Sequence, residues 1–389
     1  MTAPMLNSFL TALFLGVATL AASASADTLR ATGGLGLVIE RATGSVLLVD
    51  RPSHATLSRI DGLGDLSHAS VKLSPDERFA FVLGRDGGLT RIDMLQGRFE
   101  NRVIQSGNAI GGAISDDGAL IAVSNHDPGG IRIFDATTLA MVADIASPGK
   151  TVGLVDLPAR RFAWSVWDTG EAFMADLSGP QTIVTKLGDT GANPYDGVLS
   201  GDGRHYIVGL FGEKCLTLFD MWDKTPAPVQ FLQDHGKDRE DLPVYKMPHL
   251  QGWALTEGQF ALPAVGLHEI LWVDRTTLRE TARTPLHGQP IFVLSQPASP
   301  YVWVNFATPL NDTMQVVDSR THAVVATLKP GAAVLHMEFS PRGHEVWVSS
   351  RDANRVIIYD TQSREVKAGI EAASPSGIFF SARAHRTGL

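Results

Sequence analysis

SPDERFAFVLGRDGGLTRID, residues 74–93, reads as a turn, an apolar run, a second turn and another apolar run that stops on an aspartate. Ser, Pro, Asp and Gly supply the turn chemistry between alternating β-formers, so the stretch is a hairpin. Its ending returns along the chain: VLLVD at 46–50, LTRID at 89–93, IRIFD at 131–135, AFMAD at 172–176, LTLFD at 216–220, ILWVD at 270–274, MQVVD at 314–318 and VIIYD at 356–360. Neighbouring aspartates lie 41 to 44 residues apart, except for one gap of 54. That period is the length of a four-stranded propeller blade. A further β-like run follows most of the markers, as in DATTLAMVADI and DSRTHAVVATL, and a hairpin precedes them, which makes four strands per unit. The sequence therefore predicts an all-β fold, an eight-bladed β-propeller. No WD dipeptide marks the units, so the propeller belongs outside the WD40 group.

The ends predict how the ring closes. Asp50 has one strand upstream, LGLVIER at 35–41, where other units have two. The C-terminus carries a surplus strand, SPSGIFFSA at 374–382, which should join the first blade and remove the open edge of a linear array. Residues 1–26 carry no charged side chain and hold an apolar run from Phe9 to Leu20, followed by small residues up to Ala26. They read as a secretory signal peptide, leaving 27–389 as one propeller domain, soluble and periplasmic. No later segment is long and apolar enough to be a transmembrane span.

Composition excludes some classes. A net charge of −8 argues against a nucleic-acid partner. Cys215 is the single cysteine, so no internal disulfide forms, and no Cys-x-x-Cys-His attaches a haem covalently. Gly34-x-Gly36 lacks a third glycine and opens a hairpin instead of a helix, so it is no dinucleotide fingerprint. Neither a GxSxG elbow nor a zinc motif is present.

In a propeller the innermost strands line a central channel, and the residues at their starts converge on one mouth. Those positions hold His68, Asn108, Thr151, Tyr195 with Asp196, His249, His287 and His336. Strand entrances are polar in any case. Even so, converging imidazoles and hydroxyls suit a metal or a large polar ligand. Ligands on separate blades sit too far apart for zinc, whereas one histidine is enough to hold the iron of a flat tetrapyrrole. The extra residues of the long gap fall in DHGKDREDLPVYKMPH, 234–249, a surface loop or a lid.

HASVKLSPDERFAFVLGRDGGLTRID resembles the segment of the d1-haem domain of cytochrome cd1 nitrite reductase in which a histidine ligates the d1 iron and an Arg-Asp-Gly hairpin follows. The likeness runs on through Glu40-Arg41-Ala42-Thr43-Gly44, HGQPIFVLSQPASPYVWVNFATPLND and FSPRGHEVWVS. It implies that His68 is the iron ligand and that Arg41 and Arg85 grip carboxylates of the macrocycle, as guanidinium groups do well. The chain departs from the reductase in lacking a haem c domain. Tyr195 stands at one distal-histidine position, the other falls near Leu255, and Val71 replaces an arginine, so nitrite turnover is not expected.

Length, leader and the ending SGIFFSARAHRTGL resemble the NirF-type haem d1 biosynthesis proteins. That resemblance implies binding of haem d1 or a dihydro-haem d1-like iron precursor in the channel mouth. Two roles follow from it. One is an enzyme of late side-chain modification, a lyase or oxidoreductase with Tyr195, Asp196 or His249 as acid or base. The other is a non-catalytic carrier that passes the tetrapyrrole on. Other haem d1 biosynthesis proteins and cytochrome cd1 nitrite reductase are the implied transient partners. His126, in Asn125-His126-Asp127, joins His287 and His336 as a further candidate for the ligand.

Overall fold

The computed structural model describes residues 32–232 and 254–382, so the leader at 1–26 and the loop at 234–249 with His249 lie outside the described residues. Thirty-two strands, β1–β32 in chain order, form eight four-stranded antiparallel sheets. Blade 2 shows the plan: β4 (Ser70–Leu73) is innermost, followed outward by β5 (Phe79–Leu83), β6 (Gly88–Asp93) and β7 (Arg98–Ile104). The innermost strands of blades 3 to 8 are β8 (Gly107–Ile114), β12 (Thr151–Leu157), β16 (Pro194–Leu199), β20 (Ala254–Leu255), β24 (Pro290–Ser295) and β28 (Val334–Phe339).

The ring closes as the surplus strand predicts. β32 (Pro375–Phe380) pairs with β1 (Leu35–Glu40), Leu37 opposite Phe379 and Val38 opposite Ile378, and so becomes the innermost strand of blade 1. Buried Glu40 fixes the seam: it accepts from the Ala373 N–H at 2.8 Å and the Ser45 hydroxyl at 2.8 Å, and pairs with Arg59 at 3.0 Å. Glu77 accepts from the Ala382 N–H at 2.8 Å at the far end of the strand. Apolar packing completes the closure, with Trp347 of blade 8 edge-on to Phe380 at 5.0 Å and clustered with Val38, Val49 and Ile378. Trp164, Trp272 and Trp303 are likewise fully buried, and their clusters join neighbouring blades. Such side chains each contribute about 3–5 kcal/mol against truncation to alanine.

The marker aspartates have a local cause. Each ends the third strand of its blade and folds its carboxylate over the next turn. Asp93 accepts the N–H groups of Leu95 at 2.9 Å and Gln96 at 3.1 Å. Asp135, Asp274 and Asp360 do the same for the residues two and three positions on. On the same face the serines of the SPDE-like turns bracket the inner hairpin: the hydroxyl oxygens of Ser74, Ser115, Ser200 and Ser340 each accept an N–H five residues on. No helix among the described residues is long and apolar enough to cross a membrane.

Candidate functional site

The chain enters each innermost strand on the face opposite those aspartate turns, and a cavity of about 520 Å³ opens there. Its wall brings together Arg41, His68, Arg85, Tyr195, Asp196 and His336 from five blades. His68 precedes β4 and is exposed to the cavity, so its ring stands ready for a ligand at no cost to the core. Arg41 follows β1 in the turn to β2 (Ser45–Asp50), and a guanidinium N–H bonds the Ser67 carbonyl, tying the arginine to the residue beside His68. Burial, reinforced by the nearby Arg351 and Arg85, pushes the Arg41 pKa below its usual value against the pull of Asp65. Crowded cations of this kind call for an anionic guest.

Tyr195 and Asp196 begin β16. Burial, then the neighbouring Asp196 charge, raises the Tyr195 phenol above its ordinary pKa, so it stays a proton donor at neutral pH. The Trp167 ring meets it edge-on at 6.0 Å. Across the cavity the His336 imidazole leans against Phe292 at 5.3 Å and Phe379 at 5.7 Å, and its Nδ1 accepts from the Ile378 N–H at 3.3 Å. That bond leaves its proton on Nε2 in the neutral ring.

The remaining histidines take other places. His126 ends β9 (Leu120–Asp127) off the cavity wall, within electrostatic range of His68. Burial, then Lys150 and His68, push its pKa down to about 4, so it is neutral, and its Nε2 has no hydrogen-bond partner among the described residues. His287 is exposed and outside the cavity lining, its ring edge-on to Phe306 at 5.7 Å. Thr151 is fully buried, its hydroxyl accepting from the Gly130 N–H at 2.8 Å, and so serves the joint with blade 3.

The residues present fit a flat, carboxylate-bearing iron macrocycle. Gly111, Gly112, Gly153 and Gly377 leave the wall free of side chains, and Gly153, at φ +61°, could not carry one without strain. Phe292 and Phe379 give apolar ring faces, Arg41 and Arg85 give cations, and His68 gives one imidazole donor. No group of three or more His, Cys, Asp or Glu side chains among the described residues could hold a bare metal ion.

Residues 30–384 match the cytochrome d1 haem domain family. The chain belongs to that family. It is 47% identical to Protein NirF of Stutzerimonas stutzeri over 99% of this chain and 100% of the relative, and 48% identical to Protein NirF of Pseudomonas aeruginosa over 95% and 97%. Among solved structures, the dihydro-haem d1 dehydrogenase NirN in complex with DHE superposes with a TM-score of 0.79 at 23% identity, covering 91% of this chain and 76% of the other, a likeness of fold. Like those NirF relatives, this cytochrome d1 haem domain protein has a role in haem d1 biosynthesis.

Sequence reading missed Lys72, which lines the cavity two residues beyond Ser70 on β4. The signal was there. Strand alternation from Ser70 turns Lys72, not Val71, toward the channel, and Val71 is 6% exposed in the apolar core.

Proposed function

We propose that this protein binds haem d1, or an iron-containing dihydro precursor, in the 520 Å³ cavity and acts on it in a late side-chain modification step. The observation that carries the reading is the convergence of one exposed imidazole, His68, with two cavity-facing arginines, Arg41 and Arg85, over a wall of glycines. His68 would hold the iron, and the arginines would pair with carboxylates. When bound, the iron macrocycle supplies redox and electron-sink chemistry. Tyr195, kept protonated, is the proton donor of the cavity, and Asp196 is its acid–base partner. The leader at 1–26 would send the chain to the periplasm, where the named partners in haem d1 assembly would meet it.

Incubation of the purified protein with the iron precursor, followed by mass spectrometry of the extracted tetrapyrrole, tests the reading. A mass change that Tyr195→Phe or Asp196→Asn suppresses at least tenfold is expected. Tight uptake with unchanged mass would instead make the protein a carrier, and modification that survives both substitutions would remove the proton roles.

A further inference from the structure

The channel continues past the ligand cavity. A second cavity of about 420 Å³, lined by Lys72, Ser74, Asp116, Asp156 and Glu338 among others, opens where the innermost strands end and turn, on the opposite face of the ring. Lys72 and Phe379 belong to both walls. The Lys72 ammonium therefore stands at the waist between the two spaces. It makes no hydrogen bond or ion pair among the described residues, and the charges that act on it are Asp156, on the far cavity, and Asp196, on the ligand cavity.

An enclosed, unpaired ammonium is costly to keep. Burial lowers the Lys72 pKa, partly offset by Asp156 and Asp196, and a lysine so placed exchanges its proton where an arginine would not. Farther down, burial pushes the Glu338 carboxyl up to about 8, so the far cavity also holds an acid that changes charge near neutral pH. A flat ligand seated on His68 would cover the first mouth. The second mouth would then be the way in for small species.

We propose that the propeller channel is a second, proton-carrying entrance to the ligand cavity, with Lys72 at its waist passing protons from the Asp156 side to Asp196. In each passage the ammonium releases one proton toward the Asp196 carboxylate, directly or over cavity water, and the neutral amine takes one from the far side. No electrons move. The inference rests on the tetrapyrrole reading of the upper cavity. His68, Tyr195 and His336 face the waist from above, and Asp116 and Glu338 from below; all five stay unchanged in the main comparison.

The test is time-resolved infrared difference spectroscopy after a pH jump, on protein saturated with ferric haem d1. The Asp196 carboxyl band is assigned by its loss in Asp196→Asn. In the wild type Asp196 should gain its proton with the ligand in place, and Lys72→Met and Lys72→Arg should both slow that step at least tenfold. Lys72→Arg keeps the charge and a long stem, so unchanged melting and haem d1 affinity show that this variant is folded. A wild-type rate in either variant, or no Asp196 band across the jump, overturns the relay. Failure of the wild type to take up haem d1 is a separate failure, of the ligand reading. The same jump on unloaded Asp116→Trp protein, which narrows the far mouth, then decides the relay, because an unchanged Asp196 rate there would refute it.

Discussion

The two faces of the ring are built from the same hairpins but spend their polar side chains differently. On the face of the marker aspartates the carboxylates and serine hydroxyls fold back onto backbone N–H groups; Asp93 is fully buried, bonded to two N–H groups and to Arg78 at 2.8 Å. On the opposite face His68 and Arg85 are exposed beside Arg41, turned toward a space and not toward the chain. Polar groups satisfied by the fold mark stability. Polar groups that the fold positions but leaves available mark function.

The contrast can be broken at several points. The largest effect belongs to the seam. Truncation before Ser374 removes β32, exposes β1 and strips cover from Val38 and Trp347. Loss of the buried Ile378 and Phe380 alone costs about 3–6 kcal/mol. The melting temperature, read by circular dichroism, should fall by about 10 °C or more. A truncated chain melting with the full-length protein would refute closure by this strand.

Asp93→Ala is the next step down. It strands two turn N–H groups and the Arg78 guanidinium, and should cost about 2 kcal/mol in urea unfolding with little effect on haem d1 uptake. If the variant were instead fully stable but failed to bind, the division between the faces would be wrong.

The smallest effect lies inside the channel. Glu338 has its folded pKa raised from 4.5 to about 8 by burial, so the folded state holds its proton more tightly than the unfolded chain. The stability this adds is complete below pH 4.5 and is lost as pH rises through about 8. Glu338→Gln should keep it throughout, making the variant more stable than the wild type at pH 8 by about 1–2 kcal/mol, with the gap closing toward pH 4.5. Parallel pH profiles for the two proteins would show that Glu338 is not deprived of solvent.

The same contrast explains what could be read beforehand. Asp93 and its seven equivalents act within their own turns, so a local pattern with a fixed period reveals them and the blade count with them. The surplus strand at 374–382 was visible for the same reason, because one unit lacked what the far end supplied. The cavity depends on how blades far apart in sequence face one another. His287 and His336 occupy equivalent strand entrances, yet only His336 reaches the wall. Lys72 and Glu338 follow Ser70 and His336 by two residues on the innermost strands, and alternation would have turned them inward. What hid them was the expectation that charged residues in strands face solvent.

The central claim is that His68 holds the iron of a haem d1-type ligand. Titration of haem d1 into wild-type and His68→Ala protein, followed by visible absorption, tests it most directly. Since His68 is exposed and outside the core, the variant should melt with the wild type while its affinity falls at least tenfold and its Soret band shifts. A folded His68→Ala protein that takes up haem d1 with the wild-type spectrum and affinity would contradict the claim.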